Sequence, residues 1–114
     1  MRRSRMTVLG ILLLASLLLG ADARDCLDLA AKIDHDVSSP SGVRVTITGR
    51  NHCQEDIDSR QLRFKVKVLA SGSSVVGTQR GRFGGMVAPG ALVETMVFVE
   101  CDPDRVRSVA VETD

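Results

Sequence analysis

Leu62-Arg63-Phe64-Lys65-Val66-Lys67-Val68 decides the fold. Apolar and cationic side chains alternate here without a break, and successive side chains of an extended strand point to opposite faces. The stretch predicts a half-buried strand. Leu62, Phe64, Val66 and Val68 face a core, and Arg63, Lys65 and Lys67 face outward. The same period of two spreads in both directions. Val43, Val45 and Ile47 alternate with Arg44, Thr46 and Thr48, a second strand rich in β-branched residues. Farther upstream, Leu27, Leu29, Ala31, Ile33, His35 and Val37 alternate with Asp28, Lys32, Asp34 and Asp36. This predicts a strand over 27–37 with His35 on its apolar face. A helix competes there, because Leu-Asp-Leu-Ala-Ala-Lys consists mainly of good helix formers.

Downstream, 75–83 reads as a weaker strand interrupted by Gly77 and Gly81, and 91–101 as a strong one, apolar on both faces at Met96-Val97-Phe98-Val99. A last strand follows over 106–111. Turn residues punctuate these runs at Ser38-Ser39-Pro40-Ser41-Gly42, Ser71-Gly72-Ser73-Ser74 and Asp102-Pro103-Asp104. The segments 51–60 and 84–90 read as connections without strand. Six to seven short strands joined in this way predict an all-β fold, a small antiparallel β-sandwich.

The first 23 residues read as a cleavable secretory signal, leaving 24–114 as a single domain. Arg2, Arg3 and Arg5 precede an apolar run over 7–19, and Ala21-Asp22-Ala23 supplies the small-x-small pattern for cleavage after Ala23. The apolar run, about 15 residues at most, falls short of the roughly 20 needed to cross a bilayer. A retained anchor is the competing reading. The sequence has 114 residues, 15 basic and 14 acidic. Cleavage removes three Arg and one Asp, leaving 12 against 13 and a net charge of −1. The absence of Trp and Tyr, with only three Phe, argues against a stacking platform for bases or sugars, and the near-neutral balance argues against nucleic acid as a partner. Arg80-Gly81-Arg82-Phe83-Gly84-Gly85 fits a bent strand and its turn better than an RNA-binding segment.

Val43 to Asn51, Phe64 to Val68 with Gly72 and Val75-Val76-Gly77, and Met86-Val87-Ala88-Pro89-Gly90 together resemble the FxLYD-type domain. That domain is an immunoglobulin-like sandwich of bacterial extracytoplasmic proteins. The resemblance spans 43–111 and departs from the family pattern at Ile47, where Gly is usual, and at Ala70-Ser71, where Tyr-Asp is usual. It implies an immunoglobulin-like fold, a periplasmic or secreted location and no catalytic site.

Export places Cys26, Cys53 and Cys101 in an oxidising compartment. If consecutive strands reverse, Cys26 and Cys53 share one end of the sandwich and Cys101 lies at the other. Five residues of strand, about 17 Å, exceed the roughly 7 Å between Cα atoms that a disulfide spans. The predicted bond is therefore Cys26–Cys53. A turn centred near Pro40 sets Cys53 opposite Leu27, one residue out of register with Cys26, so the chain must leave the ladder there. Cys101 remains as a buried structural cysteine, as the link of a disulfide dimer, or as a reactive thiol.

No constellation for catalysis stands out. There is no Gly-x-Ser-x-Gly, no phosphate loop and no short-spaced pair of metal ligands. No cofactor is expected, and His35, His52 and the acidic run Glu55-Asp56-Ile57-Asp58 carry only a weak metal signal. The strongest surface signal is cationic. Arg63, Lys65 and Lys67 share the outer face of one strand, and Arg80 and Arg82 join them if the next strand pairs with it. The face either protects the sheet from aggregation or meets an anionic partner, such as an envelope polymer or an acidic protein. The expected function is a non-enzymatic binding or structural module of the bacterial envelope, monomeric or linked through Cys101, touching membrane only during export. A secreted proteinase inhibitor acting through 51–60 or 84–90, and a periplasmic metal-binding protein, are the alternatives.

Overall fold

The computed structural model of the chain describes residues 22–35 and 39–114. Most of the stretch read as a signal, 1–21, lies outside the described residues, as do 36–38 of the first turn. The described chain begins with a single helical turn, α1 (Ala23–Cys26), whose first turn is capped by the Asp22 carboxylate accepting from the Arg24 amide at 2.9 Å. Eight strands follow: β1 (Leu27–Ile33), β2 (Gly42–Asn51), β3 (Ile57–Asp58), β4 (Arg63–Leu69), β5 (Val75–Arg82), β6 (Met86–Val87), β7 (Leu92–Glu100) and β8 (Ser108–Thr113).

The strands form two antiparallel sheets of three, in the orders β1-β2-β7 and β5-β4-β8, and a two-stranded ribbon of β3 and β6. The fold is thus a small all-β sandwich, as its alternation predicts. Phe64, Val66 and Val68 of β4 and Val45 and Ile47 of β2 are fully buried, while their odd-numbered and even-numbered neighbours respectively face outward. Leu62 and Ile57 close one end of this core, and Phe83 stacks at a tilt on Phe64 with ring centroids 5.1 Å apart. The two glycines of β5 sit where the sheets approach. A Cβ on Gly81 would lie 2.7 Å from the Phe64 ring and 3.1 Å from Val97, and one on Gly77 would lie 2.8 Å from the Glu100 carbonyl oxygen. They let β5 close against β7 rather than merely weakening the strand.

Three expectations are corrected. β1 is a strand and not a helix, but it ends at Ile33. His35 lies in the following turn and is exposed rather than on the apolar face. Second, 51–60 and 84–90 are not plain connections. Ile57 pairs with Val87 and Asp58 with Met86, and the Ser59 amide and hydroxyl both donate to the Gly85 carbonyl, at 3.0 and 2.6 Å. Ile57 and Ser59 are buried by this pairing. Two-residue strands carry too little alternation to be read from sequence. Third, Met96 and Phe98 are exposed, so only the odd positions of β7 face the core.

Asn51 holds this end of the sandwich together. Its side chain is fully buried. The amide nitrogen donates to the carbonyls of Glu55 at 2.8 Å and Val87 at 2.9 Å, and the amide oxygen accepts from the Cys53 N–H at 2.9 Å. The last of these bends the chain out of the ladder directly after β2. The register Leu27↔Asn51 would set His52, not Cys53, opposite Cys26, and the His52 N–H indeed donates to the Cys26 carbonyl at 2.9 Å. The bend brings Cys53 back, and Cys26 and Cys53 are bonded with their Cα atoms 5.3 Å apart. The observed register is centred on Ser39 rather than Pro40, yet the pair is the one the strand directions select. Cys101 lies at the far end of β2, where its N–H donates to the Ser41 carbonyl at 3.0 Å. The Pro-Gly corner is a tight turn, with the Ala91 N–H donating to Ala88 at 3.0 Å and Gly90 at φ 77°. That pattern of Pro then Gly suits a type II turn.

Candidate functional site

The β4–β5 hairpin gathers the five cations. Arg63 is directly opposite Arg82, Lys65 opposite Arg80, and Lys67 opposite Thr78. Because Phe64, Val66 and Val68 of β4 face the core, all five charged side chains project from the outer face of the second sheet. On the other side of β4, Lys65 is opposite Glu112 and Lys67 opposite Ala110, and the Asp114 N–H extends the ladder to the Arg63 carbonyl at 2.9 Å. The face is therefore graded, with carboxylates along one edge and cations along the centre and the other edge.

Two ion pairs cross it. Lys67 Nζ lies 3.0 Å from Glu112 Oε1, and Arg80 Nε lies 2.7 Å from Asp114 Oδ2. Arg80 belongs to β5 and Asp114 extends β8, with β4 between them. The Arg80 side chain must therefore lie across β4, beside Arg63. Arg63, Arg80, Arg82, Gly81 and Asp114 line one surface depression of about 360 Å³. Lys65 and Arg80, with Thr78 and Gln79, line its neighbour of about 340 Å³. Arg63, Lys65 and Arg82 have no side-chain partner among the described residues. Five cations less two carboxylates leave a net charge of +3 on this face. Like charges directly opposite one another in a sheet cost stability, so two such pairs are not a neutral way to fill an outer face.

The other surfaces offer less. The outer face of the first sheet mixes signs (Asp28, Lys32, Arg44, Arg50, Glu94 and Glu100) around exposed Leu92, Met96 and Phe98. Two larger depressions, each about 670 Å³, lie beside β1. One runs over Ala30, Lys32, Thr46 and Glu94. The other lies at the Cys101 end, among His35, Pro40, Asp102 and Arg107. Among the described residues no three His, Cys, Asp or Glu side chains converge to hold a metal ion. His52 Nδ1 sits 3.1 Å from Asp28 Oδ2 at an exposed position, far along the strand from His35. In the acidic run, Ile57 is core and Asp58 is bound to Arg60 at 2.8 Å, which holds its carboxyl below the usual range.

Cys101 is half-buried against the core, and burial, followed by the neighbouring Asp102 carboxylate, pushes its thiol pKa up. A raised pKa lowers the thiolate fraction on which reactivity depends. The loops 51–60 and 84–90 stand side by side as one hydrogen-bonded unit, not as two separate projections.

No protein-family model matches the chain, and no curated protein is similar to it at a significant level. Solved structures share its shape. A DUF1425 family member from Shewanella sp. pv-4 is 10% identical, with a TM-score of 0.50 over 77% of this chain and 76% of that one. The trimeric lipoprotein SadB of Salmonella enterica is 11% identical, with a TM-score of 0.54 over 99% of this chain and 76% of its own. At these identities the likeness is one of fold. Of what the FxLYD-type resemblance implies, the small β-sandwich is present, and no family match supports membership of that family.

Proposed function

We propose that the chain is an exported, non-enzymatic binding module of the bacterial envelope that holds an anionic partner on the outer face of the β4–β5 hairpin. The observation that carries the reading is the pairing of Arg63 with Arg82 and of Lys65 with Arg80 on one flat face, with only Arg80 of these four neutralised by a side chain among the described residues. An anionic partner offsets the repulsion that the fold alone leaves standing. The Cys26–Cys53 bond supports a periplasmic or secreted location, since disulfides persist where thiols are oxidised. The basic start and apolar run of the first 23 residues supply the route, and SadB, described as a lipoprotein, shares the fold.

Binding of the purified protein to isolated envelope fragments, followed by sedimentation across a salt series, tests the reading. Binding should weaken steeply with salt and be lost in the charge-reversed variant carrying Lys65→Glu and Arg82→Glu. Salt-independent binding, or unchanged binding by the variant, overturns it. The N-terminal residue of the secreted protein tests export. Cleavage after Ala23 leaves Arg24 first and removes both the Asp22 cap and the buried Ala23 side chain, whereas an intact Met1 would refute processing.

A further inference from the structure

Within that reading, on which this step rests, we infer that Arg63, Arg80 and Arg82 form a notch for a single phosphomonoester group, with Asp114 as the internal carboxylate that competes for it. The register places Arg63 and Arg82 side by side on neighbouring strands, within about 5.5 Å at Cβ. The Asp114 carboxylate draws the Arg80 side chain across β4 toward Arg63, and the three arginines line the same depression. Asp114 is itself held in place. Its N–H donates to the Arg63 carbonyl at 2.9 Å, and its backbone oxygen accepts from Arg24 Nη2 at 2.7 Å. Its side chain therefore occupies the notch as an anion already present, bound to Arg80 through Nε.

Charge selects the ligand class. Three guanidinium groups less the Asp114 side-chain carboxylate leave +2 in the notch, the Asp114 main-chain oxygen being matched by Arg24. A phosphomonoester carries about −1.5 to −2 at neutral pH and neutralises this, whereas a phosphodiester or a carboxylate, at −1, does not. Guanidinium groups also match phosphate oxygens two at a time, so neighbouring arginines can share one phosphoryl group. Lys65 and Lys67 lie outside the depression and serve as general attraction.

The competing carboxylate gives a test that separates a notch from a diffuse cationic face. Asp114→Asn and Glu112→Gln each remove one negative charge from the same face, but only Asp114 lines the notch. Binding would be measured by flotation with vesicles of neutral phospholipid containing either phosphatidic acid, a monoester, or phosphatidylglycerol, a diester. Inorganic phosphate would be the soluble competitor.

The expected result is preference for phosphatidic acid. Asp114→Asn should bind it about two- to fivefold more tightly, the range for removal of one exposed ion pair, while Glu112→Gln should change affinity less than Asp114→Asn does. Arg82→Gln, at an exposed position away from the core, should lose the monoester preference. Competition by millimolar inorganic phosphate would assign the notch to a free phosphate group, and failure to compete would assign it to a headgroup at a surface; both support the notch. Equal tightening by the two charge-removing variants, or equal binding of both lipids, overturns the notch but leaves the cationic face. Absence of salt-sensitive binding to envelope fragments overturns the face itself.

Discussion

Replacing Asn51 by Ala should cost about 3 kcal/mol, because the side chain makes three hydrogen bonds from a fully buried position. A typical bond contributes about 1 kcal/mol net, and a buried group left without a partner costs about 1–3 kcal/mol. The change strands the Cys53 N–H and deprives the Glu55 and Val87 carbonyls of donors. Some of that loss is recoverable, since the Glu55 and Cys53 groups lie nearer solvent than the Val87 carbonyl. Summing three bonds at about 1 kcal/mol each therefore gives the central value.

Urea unfolding is the assay, followed by far-ultraviolet circular dichroism because the chain has neither Trp nor Tyr for fluorescence. A domain of this size has a urea slope near 1 kcal/mol per molar, so the midpoint should fall by about 3 M with the slope unchanged. Asn51→Asp is the sharper companion. It retains the acceptor for Cys53 but points a carboxylate at two carbonyl oxygens. It should be worse than Ala at neutral pH and recover partly in acid, where the protonated carboxyl can donate one bond. A midpoint shift for Asn51→Ala below about 1 M would refute the claim that Asn51 ties the two loops to the end of the sandwich.

Other consequences are checked with the same folded protein. Removing the Cys26–Cys53 bond by double substitution to Ala should cost roughly 3.5 kcal/mol in the chain-entropy account, given a sequence separation of 27, and urea midpoints with and without reductant measure it. Gly81→Ala forces a Cβ to within 2.7 Å of the Phe64 ring and should destabilise by about 1–3 kcal/mol, whereas Gly84→Ala, where a Cβ meets nothing within 4 Å, should change little by the same measurement. Cys101 should be alkylated at neutral pH more slowly than a free thiol in an unfolded peptide, because burial and Asp102 both raise its pKa. Mass spectrometry after brief iodoacetamide treatment reads this, and alkylation as fast in the native protein as in the unfolded peptide would contradict the half-buried placement.

Alternation along Leu62 to Val68 and along Val43 to Thr48 determined that the chain forms strands, and which side of each strand is core. That information is local, because a strand's two faces repeat every second residue whatever it pairs with. It was also enough to put Arg63, Lys65 and Lys67 on one outer face, and the direction of consecutive strands was enough to join Cys26 to Cys53 and set Cys101 apart. Pairing partners are not local. That β2 lies beside β7, that β8 brings Glu112 and Asp114 to the cationic face, and that Asp114 reaches Arg80 across β4 all depend on which sheet edge each strand joins. The ribbon of Ile57 with Val87 and the buried Asn51 amide were hidden for the same reason. A two-residue strand has no period to detect, and a polar side chain reveals its burial only when the distant carbonyls that satisfy it have come into place.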